Sequence, residues 1–514
     1  MSKTIIIIGA GLAGLSAALQ AAENGCNVKL VSSLPSERAQ SVMAEGGINA
    51  ALNTKDENDS PEEHFTDTIK AACGLADPNA VWGMTQAAPE LVHWLLKLGV
   101  KFNMSGYDDV DLRNFGGQKK KRTAFAQSDT GKQIMTAMID AVRRKEASGM
   151  VERFSHHSFL TLRLCGNICC GCVIRDEYSQ ETVELPGDAV IVATGGMHGL
   201  FGNTTGSLSN TGEVTAELFR LGVPLANGEM IQYHPTTVKC GGKRMLISEA
   251  ARGEGGRLFA MKDGKQWYFM EEKYPELGNL MPRDITAREI WKVSHESEVF
   301  LDMTEISEEI ISNKLSGLAD DCMTYLHKDI RKEPVSVLPG IHYFMGGILV
   351  DEQHRTPIQN LYAAGECCAQ YHGANRLGGN SLLGALYGGR VAAKSACEQA
   401  DAVDLSCATQ IDFPPASQIS EIKQLNKVMQ ETMGVVRNEN TLLNGIKTVQ
   451  ALTGNLPLLG MAVLKSALAR KESRGAHWRE DYPKSNDDDY LKTTVARFDG
   501  KQIQISFVPV PERR

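Results

Sequence analysis

The sequence predicts an α/β fold built on a Rossmann-like dinucleotide-binding domain that is discontinuous in the chain. Three short apolar runs indicate this fold, at residues 5–8, 189–193 and 360–364, and each ends at or close to a glycine. Buried strands that end in glycine turns are typical of the nucleotide-binding edge of a parallel sheet. Because residues of different character separate the second and third runs, we expect an insertion between them.

The first run leads into a glycine turn with the pattern GxGxxG, at Gly9, Gly11 and Gly14. An apolar-periodic segment follows, which predicts a helix. A strand, a tight turn and a helix in this order place amide N–H groups and the positive end of the helix on a pyrophosphate. A glycine turn without a ligand is the alternative, and the strand–turn–helix context favours the cofactor.

The ends of the later strands refine this prediction. The second strand, at residues 28–31, ends at Ser32 and Ser33, where the simple NAD pattern has an acidic residue. Glu366, just after the third apolar run, is placed to accept a hydrogen bond from a ribose hydroxyl. The chain is therefore predicted to bind a dinucleotide, but its binding motif departs from the simple NAD pattern.

Two glycine-rich segments near the third run predict an anion site. His342 precedes the paired Gly346 and Gly347, and Arg376 lies inside a second glycine-rich turn. Only glycine lets backbone approach a flat cofactor closely, and Arg and His are donors for carboxylates. These segments predict a site for a small dicarboxylate against the cofactor, with a satisfied core histidine as the alternative for His342.

The composition favours small-molecule chemistry over nucleic-acid binding. The chain has 514 residues and a net charge of −8, from 54 Lys and Arg against 62 Asp and Glu. We find no apolar run of the roughly 20 residues that span a bilayer and no signal-peptide pattern, so we expect a cytoplasmic protein. Twelve cysteines in such a chain favour free thiols over a disulfide framework.

One group of cysteines, Cys165, Cys169, Cys170 and Cys172, is spaced closely enough to suggest a metal site. The surrounding segment, from residue 161 to 183, has the pattern of two strands around a turn. Adjacent cysteines on a strand face opposite sides of the sheet, which favours packing residues over metal ligands. We therefore predict no metal.

Short motifs follow one another along nearly the whole chain, at residues 9–14, 44–48, 115–117, 122–125, 129–131, 232–236, 252–256, 282–284, 342–348, 373–382 and 472–477. Together they resemble the flavoprotein subunits of fumarate reductase and succinate dehydrogenase, a family that also includes L-aspartate oxidase. The resemblance implies an FAD-binding domain of residues 1–225 and 341–400, and an inserted α+β capping domain of residues 226–340. It also implies a C-terminal helical domain of residues 401–485 and a tail with short strands at residues 486–514.

The resemblance further implies hydride exchange between flavin N5 and a C4 dicarboxylate, with Arg283 as the proton donor. Glu249 and Arg252 would form the relay that returns a proton to it. Since an isolated arginine is a poor acid, the transfer needs a neighbouring carboxylate such as Glu249. A surface ion-pair network is the alternative interpretation of these three residues.

Substrate-binding residues are assigned in two pairs, because each carboxylate of fumarate needs its own donors. His342 and Arg376 would hold one carboxylate, and His234 and Ser248 the other. The family commonly has Thr at the position of Ser248, and the hydroxyl is retained. Phe115 is expected to pack against the substrate or the flavin edge.

By the same resemblance, FAD contacts are expected from a set of residues at the glycine turns and strand ends. They are Gly9, Gly11, Leu12, Ala13, Gly14, Ser32, Ala44, Gly46, Gly47, Asp129, Ala193, Thr194, Gly195, Glu366, Asn380, Ser381 and Leu382. Membrane-bound relatives typically bond the flavin covalently through a His, and this chain has Gln40 at the matching position. We therefore expect non-covalent FAD and, because the covalent link favours succinate oxidation, fumarate reduction.

Three alternatives remain. L-aspartate oxidase usually has an acidic residue in the loop that here spans residues 114–119, and this loop has none. Fumarate is therefore favoured over aspartate. The second alternative is a succinate dehydrogenase flavoprotein. The third is a subunit that acts mainly in assembly or electron relay, and the presence of every expected substrate residue argues against it. We expect an iron–sulfur partner subunit, through which the protein could lie at the inner face of the membrane, and no nucleic acid.

Overall fold

The computed structural model describes residues 2–106, 109–400, 413 and 418–514. Over these residues the helices are α1 Leu12–Glu23, α2 Pro61–Ala71, α3 Pro78–Lys97, α4 Thr130–Ala147, α5 Glu213–Arg220, α6 Glu249–Gly253, α7 Phe269–Lys273, α8 Arg283–Val293, α9 Glu308–Lys314, α10 Ser316–Asp321, α11 Asn380–Gln399, α12 Ile419–Thr432, α13 Glu439–Val449, α14 Asn455–Ala469 and α15 Asp487–Tyr490. The strands are β1 Thr4–Ile8, β2 Asn27–Ser32, β3 Ile48–Asn49, β4 Leu112–Arg113, β5 Thr123–Ala124, β6 Val151–Ser155, β7 His157–Cys165, β8 Ile168–Asp176, β9 Thr182–Pro186, β10 Ala189–Val192, β11 Leu225–Ala226, β12 Ile231–Cys240, β13 Lys243–Leu246, β14 Arg257–Lys262, β15 Lys265–Trp267, β16 Val299–Asp302, β17 Val335–Ser336, β18 Leu338–Phe344, β19 Gly347–Leu349, β20 Leu361–Ala363, β21 Cys368–Ala369, β22 Lys492–Phe498 and β23 Ile503–Pro509.

A five-stranded parallel sheet forms the centre of the cofactor domain, in the order β20-β10-β1-β2-β6. Four consecutive isoleucines of β1 are buried because both faces of the sheet are covered. Ile5 and Ile7 pack in one cluster with α1, α4 and α11, whereas Ile6 and Ile8 pack towards the β7–β9 sheet. Since β1, β10 and β20 are the three predicted runs, the discontinuous Rossmann-like fold is confirmed.

The segment between β10 and β20 contains a compact α+β region. Its two antiparallel sheets have the orders β13-β12-β18 and β15-β14-β16-β17, and the helices α6 to α10 accompany them. A separate hydrophobic cluster fills this region, and Phe115 of the cofactor domain belongs to it. Phe115 therefore lies where the two parts of the molecule meet.

The C-terminal part packs α12, α13 and α14 against α5 and β18 in one hydrophobic cluster. The last two strands extend a second sheet, of order β21-β19-β11-β22-β23, so the tail is joined to the body of the molecule. The predicted domain boundary at residues 400 and 401 adjoins residues 401–412, which lie outside the described residues. Across the described ranges, no helix is long and apolar enough to cross a membrane.

A buried ion network connects this tail to the strands near the cofactor domain. Arg470, at the end of α14, pairs with Glu229 at 2.7 Å and with Glu472 at 2.7 Å, and all three side chains are inaccessible to solvent. Nη2 of Arg470 also donates to the hydroxyl of Thr494 in β22. The network joins three segments that are distant in sequence.

Candidate active site

A cavity of about 550 Å³ lies at the carboxyl ends of β1, β10 and β20, beneath the inserted α+β region. This is the edge of an open parallel sheet at which ligands bind. Most of the predicted site residues line it. They are Gly9, Gly11, Leu12, Ala13, Ser32, Ala44, Gly46, Gly47, Phe115, Ala193, Thr194, Gly195, His234, Ser248, Glu249, Arg283, His342, Glu366, Arg376, Ser381 and Leu382.

Four predicted residues do not line the cavity and lie behind its wall. Gly14 serves close packing, because a Cβ there would lie 1.8 Å from the carbonyl oxygen of Gly9. Asp129 is the residue that precedes α4, and Asn380 begins α11 with its side chain hydrogen-bonded within the protein. Arg252 contacts the cavity only through Glu249.

The floor of the cavity is shaped for a large, flat, phosphate-bearing cofactor. Gly9 has a φ of 111°, and a Cβ there would lie 2.2 Å from the oxygen of Ala193. At the other end, Gly47 has a φ of 132° and a Cβ would lie 2.5 Å from the oxygen of Ala124. Between them the N-terminus of α1 lines the cavity at Gly11, Leu12 and Ala13. Such a cradle suits the pyrophosphate and flavin of FAD.

Opposite the floor, a buried carboxylate lies between two arginines. Nε and Nη2 of Arg283 lie 2.7 Å and 2.6 Å from Oε2 of Glu249, and Nη2 of Arg252 lies 3.5 Å from its Oε1. Gly116 N–H also donates to Oε1 at 2.9 Å. Although burial raises it, the pKa of Glu249 lies below its ordinary value, because both arginines favour the ionised form. This geometry argues against the surface ion-pair interpretation, since all three residues are buried.

Sequence reasoning missed Gln232, which connects the two ends of the site. Its Oε1 accepts a hydrogen bond from Nη1 of Arg283 at 3.1 Å, and its Nε2 donates to the carbonyl of Arg376 at 2.9 Å. The side chain is fully buried. Its position two residues before His234 on β12 was a usable signal, because alternate residues of a strand face the same side.

The predicted anion ligands meet at the same wall of the cavity. The rings of His234 and His342 are edge to face with centroids 5.1 Å apart, and the guanidinium of Arg376 lies 4.3 Å from the ring centroid of Tyr343. Burial, with Arg283 nearby, lowers the pKa of both histidines well below the ordinary value. Burial also lowers the pKa of Arg376 to about 9. Ser248 caps α6, accepting from Ala250 N–H.

Several buried nitrogen atoms at or beside this wall have no hydrogen-bond partner among the described residues. They include Nε2 of His234 and Nε of Arg376 at the wall, and Nε of Arg252 beside it. Arg283 and Arg376 line the wall and Arg252 lies beside it, so that with the carboxylate of Glu249 this group of side chains carries a net positive charge. Buried donors without partners are costly unless a ligand satisfies them, so the wall suits a small dianion.

Gln40, at the position of the linking histidine of relatives, and the predicted cofactor contact Glu366 both border the cavity. Oε1 of Gln40 accepts a hydrogen bond from Ser207 N–H at 2.6 Å, and Gln40 lines the cavity. Oε1 of Glu366 accepts one from Phe344 N–H at 3.0 Å. Both side chains are therefore held in place at the edge where the cofactor is expected.

The cysteines do not form a metal-binding group within the described residues. Cys169 and Cys172 on β8 pack in the hydrophobic cluster beneath the parallel sheet, and burial raises the pKa of both thiols above the ordinary value. Ten cysteines of the described chain are free. Cys165 is disulfide-bonded, so the expectation of a free thiol was wrong for this residue.

Comparison with known protein families gives two matches. Residues 4–382 match the FAD binding domain family, and residues 452–513 match the family described as fumarate reductase flavoprotein C-term. Together they span most of the chain, including the cavity and the C-terminal helices and strands.

Individual relatives match over nearly the full length of both proteins. The chain is 38% identical to a succinate dehydrogenase flavoprotein subunit of Bacillus subtilis, covering 100% of this chain and 98% of that protein. It is 32% identical to the 8-methylmenaquinol:fumarate reductase flavoprotein subunit of Wolinella succinogenes, covering 100% and 92%. Among solved structures, E. coli quinol fumarate reductase aligns with a TM-score of 0.90 and 27% identity, covering 99% and 97%.

Proposed function

Because the chain belongs to the flavoprotein-subunit family of fumarate reductases and succinate dehydrogenases, we propose that it catalyses the reduction of fumarate to succinate. The observation that carries this proposal is the buried array of Arg283, Glu249 and Arg252 beside the unpartnered donors of the cavity wall. It combines a proton source with a dianion site. FAD, when bound, supplies the hydride.

The side chains of the site bind the substrate and transfer the proton. Arg376 and His342 hold one carboxylate of fumarate, and His234 and Ser248 hold the other, so that the alkene lies against the cofactor. Arg283 donates a proton to the carbon that does not receive the hydride. Glu249, ionised between its two arginines, lowers the cost of that transfer by passing a proton from Arg252. Burial lowers the pKa of Arg252, which helps it to give up a proton.

L-Aspartate is the main alternative substrate, and charge argues against it. An amino acid substrate needs an anionic partner for its ammonium group. The loop at residues 114–119 has no acidic side chain. Glu45 lines the cavity, but burial raises its pKa to about 8, so it is largely uncharged at neutral pH. The cavity therefore favours a dianion over a substrate that carries a positive charge.

Anaerobic turnover tests this proposal directly. The FAD-loaded protein is assayed with reduced viologen and fumarate, with succinate and an oxidising dye, and with L-aspartate and oxygen. We expect fumarate reduction to be the fastest of the three reactions. Faster oxidation of L-aspartate or of succinate would overturn the proposal, and the reaction that prevails would identify the activity.

We further propose that the FAD is bound without a covalent link, because Gln40 has no nucleophilic ring nitrogen. Acid precipitation of the purified protein is expected to release the flavin into the supernatant. The protein band is then expected to show no flavin fluorescence after denaturing electrophoresis. Yellow colour that remains in the washed precipitate would contradict the proposal. In the family the covalent link assists succinate oxidation, so its absence agrees with fumarate reduction.

Electrons reach the flavin, in this proposal, from a separate iron–sulfur subunit. Relatives of this chain are described as subunits, including those of Bacillus subtilis and Wolinella succinogenes. Through such a partner the protein would lie at the inner face of the membrane. Affinity purification from its native cell, followed by iron and labile-sulfide analysis of the co-purifying protein, tests for this subunit.

A further inference from the structure

His342 has a polar neighbour to which the proposed reaction gives no role. Nδ1 of His342 lies 2.8 Å from the hydroxyl oxygen of Thr205. Both residues line the cavity. Among the described residues, Nδ1 is the only ring nitrogen of His342 with a hydrogen-bond partner, which leaves Nε2 for the substrate.

The charge state of His342 makes this contact important. The ring lines the cavity near Arg283 and Arg376, and desolvation followed by these two charges lowers its pKa well below the ordinary value. The imidazole is therefore neutral and has a single N–H. A neutral imidazole donates from one nitrogen and accepts at the other. It follows that Nε2 can donate to a carboxylate only if Nδ1 carries no proton.

Thr205 is held with its hydroxyl within reach of two acceptors, this nitrogen and a backbone carbonyl. Its backbone N–H donates to the carbonyl oxygen of Ile341 at 3.0 Å, which fixes the residue beside β18. The hydroxyl oxygen lies 3.3 Å from the same carbonyl and 2.8 Å from Nδ1. The backbone N–H of Thr205 already donates to that carbonyl, and the hydroxyl oxygen is closer to Nδ1 than to the carbonyl oxygen. Of the two acceptors within reach, we therefore assign the hydroxyl proton to Nδ1.

We propose that Thr205 is a positioning residue that keeps the proton of His342 on Nε2, so that the uncharged ring donates a hydrogen bond to a substrate carboxylate. This inference rests on the proposed function, because it concerns the dicarboxylate site. It explains how a neutral histidine can serve beside Arg376 without adding another buried positive charge. Thr205 itself touches no reacting atom.

The test compares Thr205→Val and Thr205→Ser in the FAD-loaded protein. Fumarate turnover with reduced viologen gives KM and kcat. Malonate, a dicarboxylate whose carboxylates are one carbon apart and which therefore cannot be desaturated between them, gives a Kd from the change in flavin absorbance. Removing the hydroxyl is expected to raise KM and Kd by about tenfold, since the part-buried hydrogen bond to Nδ1 is lost. Serine is expected to restore both values to within about threefold of the original.

Thr432→Val is the matched control. Thr432 is buried, and its hydroxyl donates to the carbonyl of Val428 within α12, away from the cavity. This variant is expected to keep the original KM and Kd. An unchanged Kd in Thr205→Val, or a serine variant as defective as the valine one, would overturn the inference.

Nitrogen NMR reports which ring nitrogen of His342 carries the proton. A purely structural role of Thr205 would not determine this protonation pattern. The protein is labelled with ¹⁵N-histidine, and the signals of His342 are assigned by their loss in His342→Gln. In the original protein we expect Nδ1 to have the shift of an unprotonated imidazole nitrogen and Nε2 that of a protonated one. The reverse pattern would refute the inference. If the original protein neither reduces fumarate nor binds malonate, the proposed function itself fails, which distinguishes the two failures.

Discussion

Replacing Arg283 with glutamine is expected to lower fumarate turnover by about 10²- to 10⁴-fold, the range associated with a general acid. Glutamine keeps hydrogen-bonding ability but has no proton that it can give up. It also removes the ion pair with Glu249, whose Oε2 lies 2.6 Å from Nη2 of Arg283. Lysine restores a positive charge but not the planar fork, so Arg283→Lys is expected to be severely impaired as well. Steady-state assays with reduced viologen measure both effects.

The matched control is Arg288→Gln, the same substitution five residues further along α8, at a side chain that points elsewhere. Arg288 lies over the ring of Trp478, with its guanidinium carbon 4.0 Å from the ring centroid. We expect this variant to retain most of the turnover. All variants should bind FAD, because Arg283 lies on the wall opposite the glycine turns. An Arg283→Gln protein that retains FAD and normal turnover would remove Arg283 from the role of proton donor.

Replacing Arg470 with methionine is expected to lower the free energy of unfolding by about 3–5 kcal/mol, the cost of leaving a buried charge without its partner. The change removes the ion pair of Glu229, which is inaccessible to solvent, whereas Glu472 keeps its ion pair with Arg474 at 2.8 Å. It also removes the donors to the carbonyl groups of Tyr490 and Lys492. Denaturation of the FAD-loaded protein by guanidinium chloride, followed by circular dichroism, measures the change.

Arg355→Met is the control for this prediction, because it breaks an ion pair of similar length at the surface. The Arg355 side chain is 47% exposed and lies 2.7 Å from Asp351. Exposed pairs contribute about 0–1 kcal/mol, so the control should unfold almost as the original protein does. Equal unfolding midpoints for the two variants would show that the buried network contributes no more than a surface pair.

Local patterns were sufficient to predict the cofactor fold. The isoleucines of β1, the turn at Gly9 and the helix after it follow one another within about 20 residues of sequence. Each element is determined by interactions between residues that are close in the chain. The predicted substrate residues could be assigned because each lies in a short motif. His234 and Arg376, for example, meet at one wall of the cavity although the sequence gives no distance between them.

Residues that act only through distant partners could not be predicted in this way. Gln232 matters because it hydrogen-bonds Arg283, and Thr205 because it contacts His342, more than a hundred residues away in the chain. Arg470 sits in a helical segment where a charged residue usually indicates a solvated face. Its burial depends on the ion pair with Glu229, and no local sequence pattern indicates that these two residues are close together.

The order of strands in the parallel sheet has a consequence for synthesis on the ribosome. β1 is made first, yet its neighbour β10 follows at Ala189–Val192 and the edge strand β20 only at Leu361–Ala363. At about 5–20 residues per second, the nascent chain exposes the isoleucines of β1 for many seconds before β10 emerges, and the sheet stays incomplete for longer still. A truncated N-terminal half is therefore expected to aggregate rather than to fold.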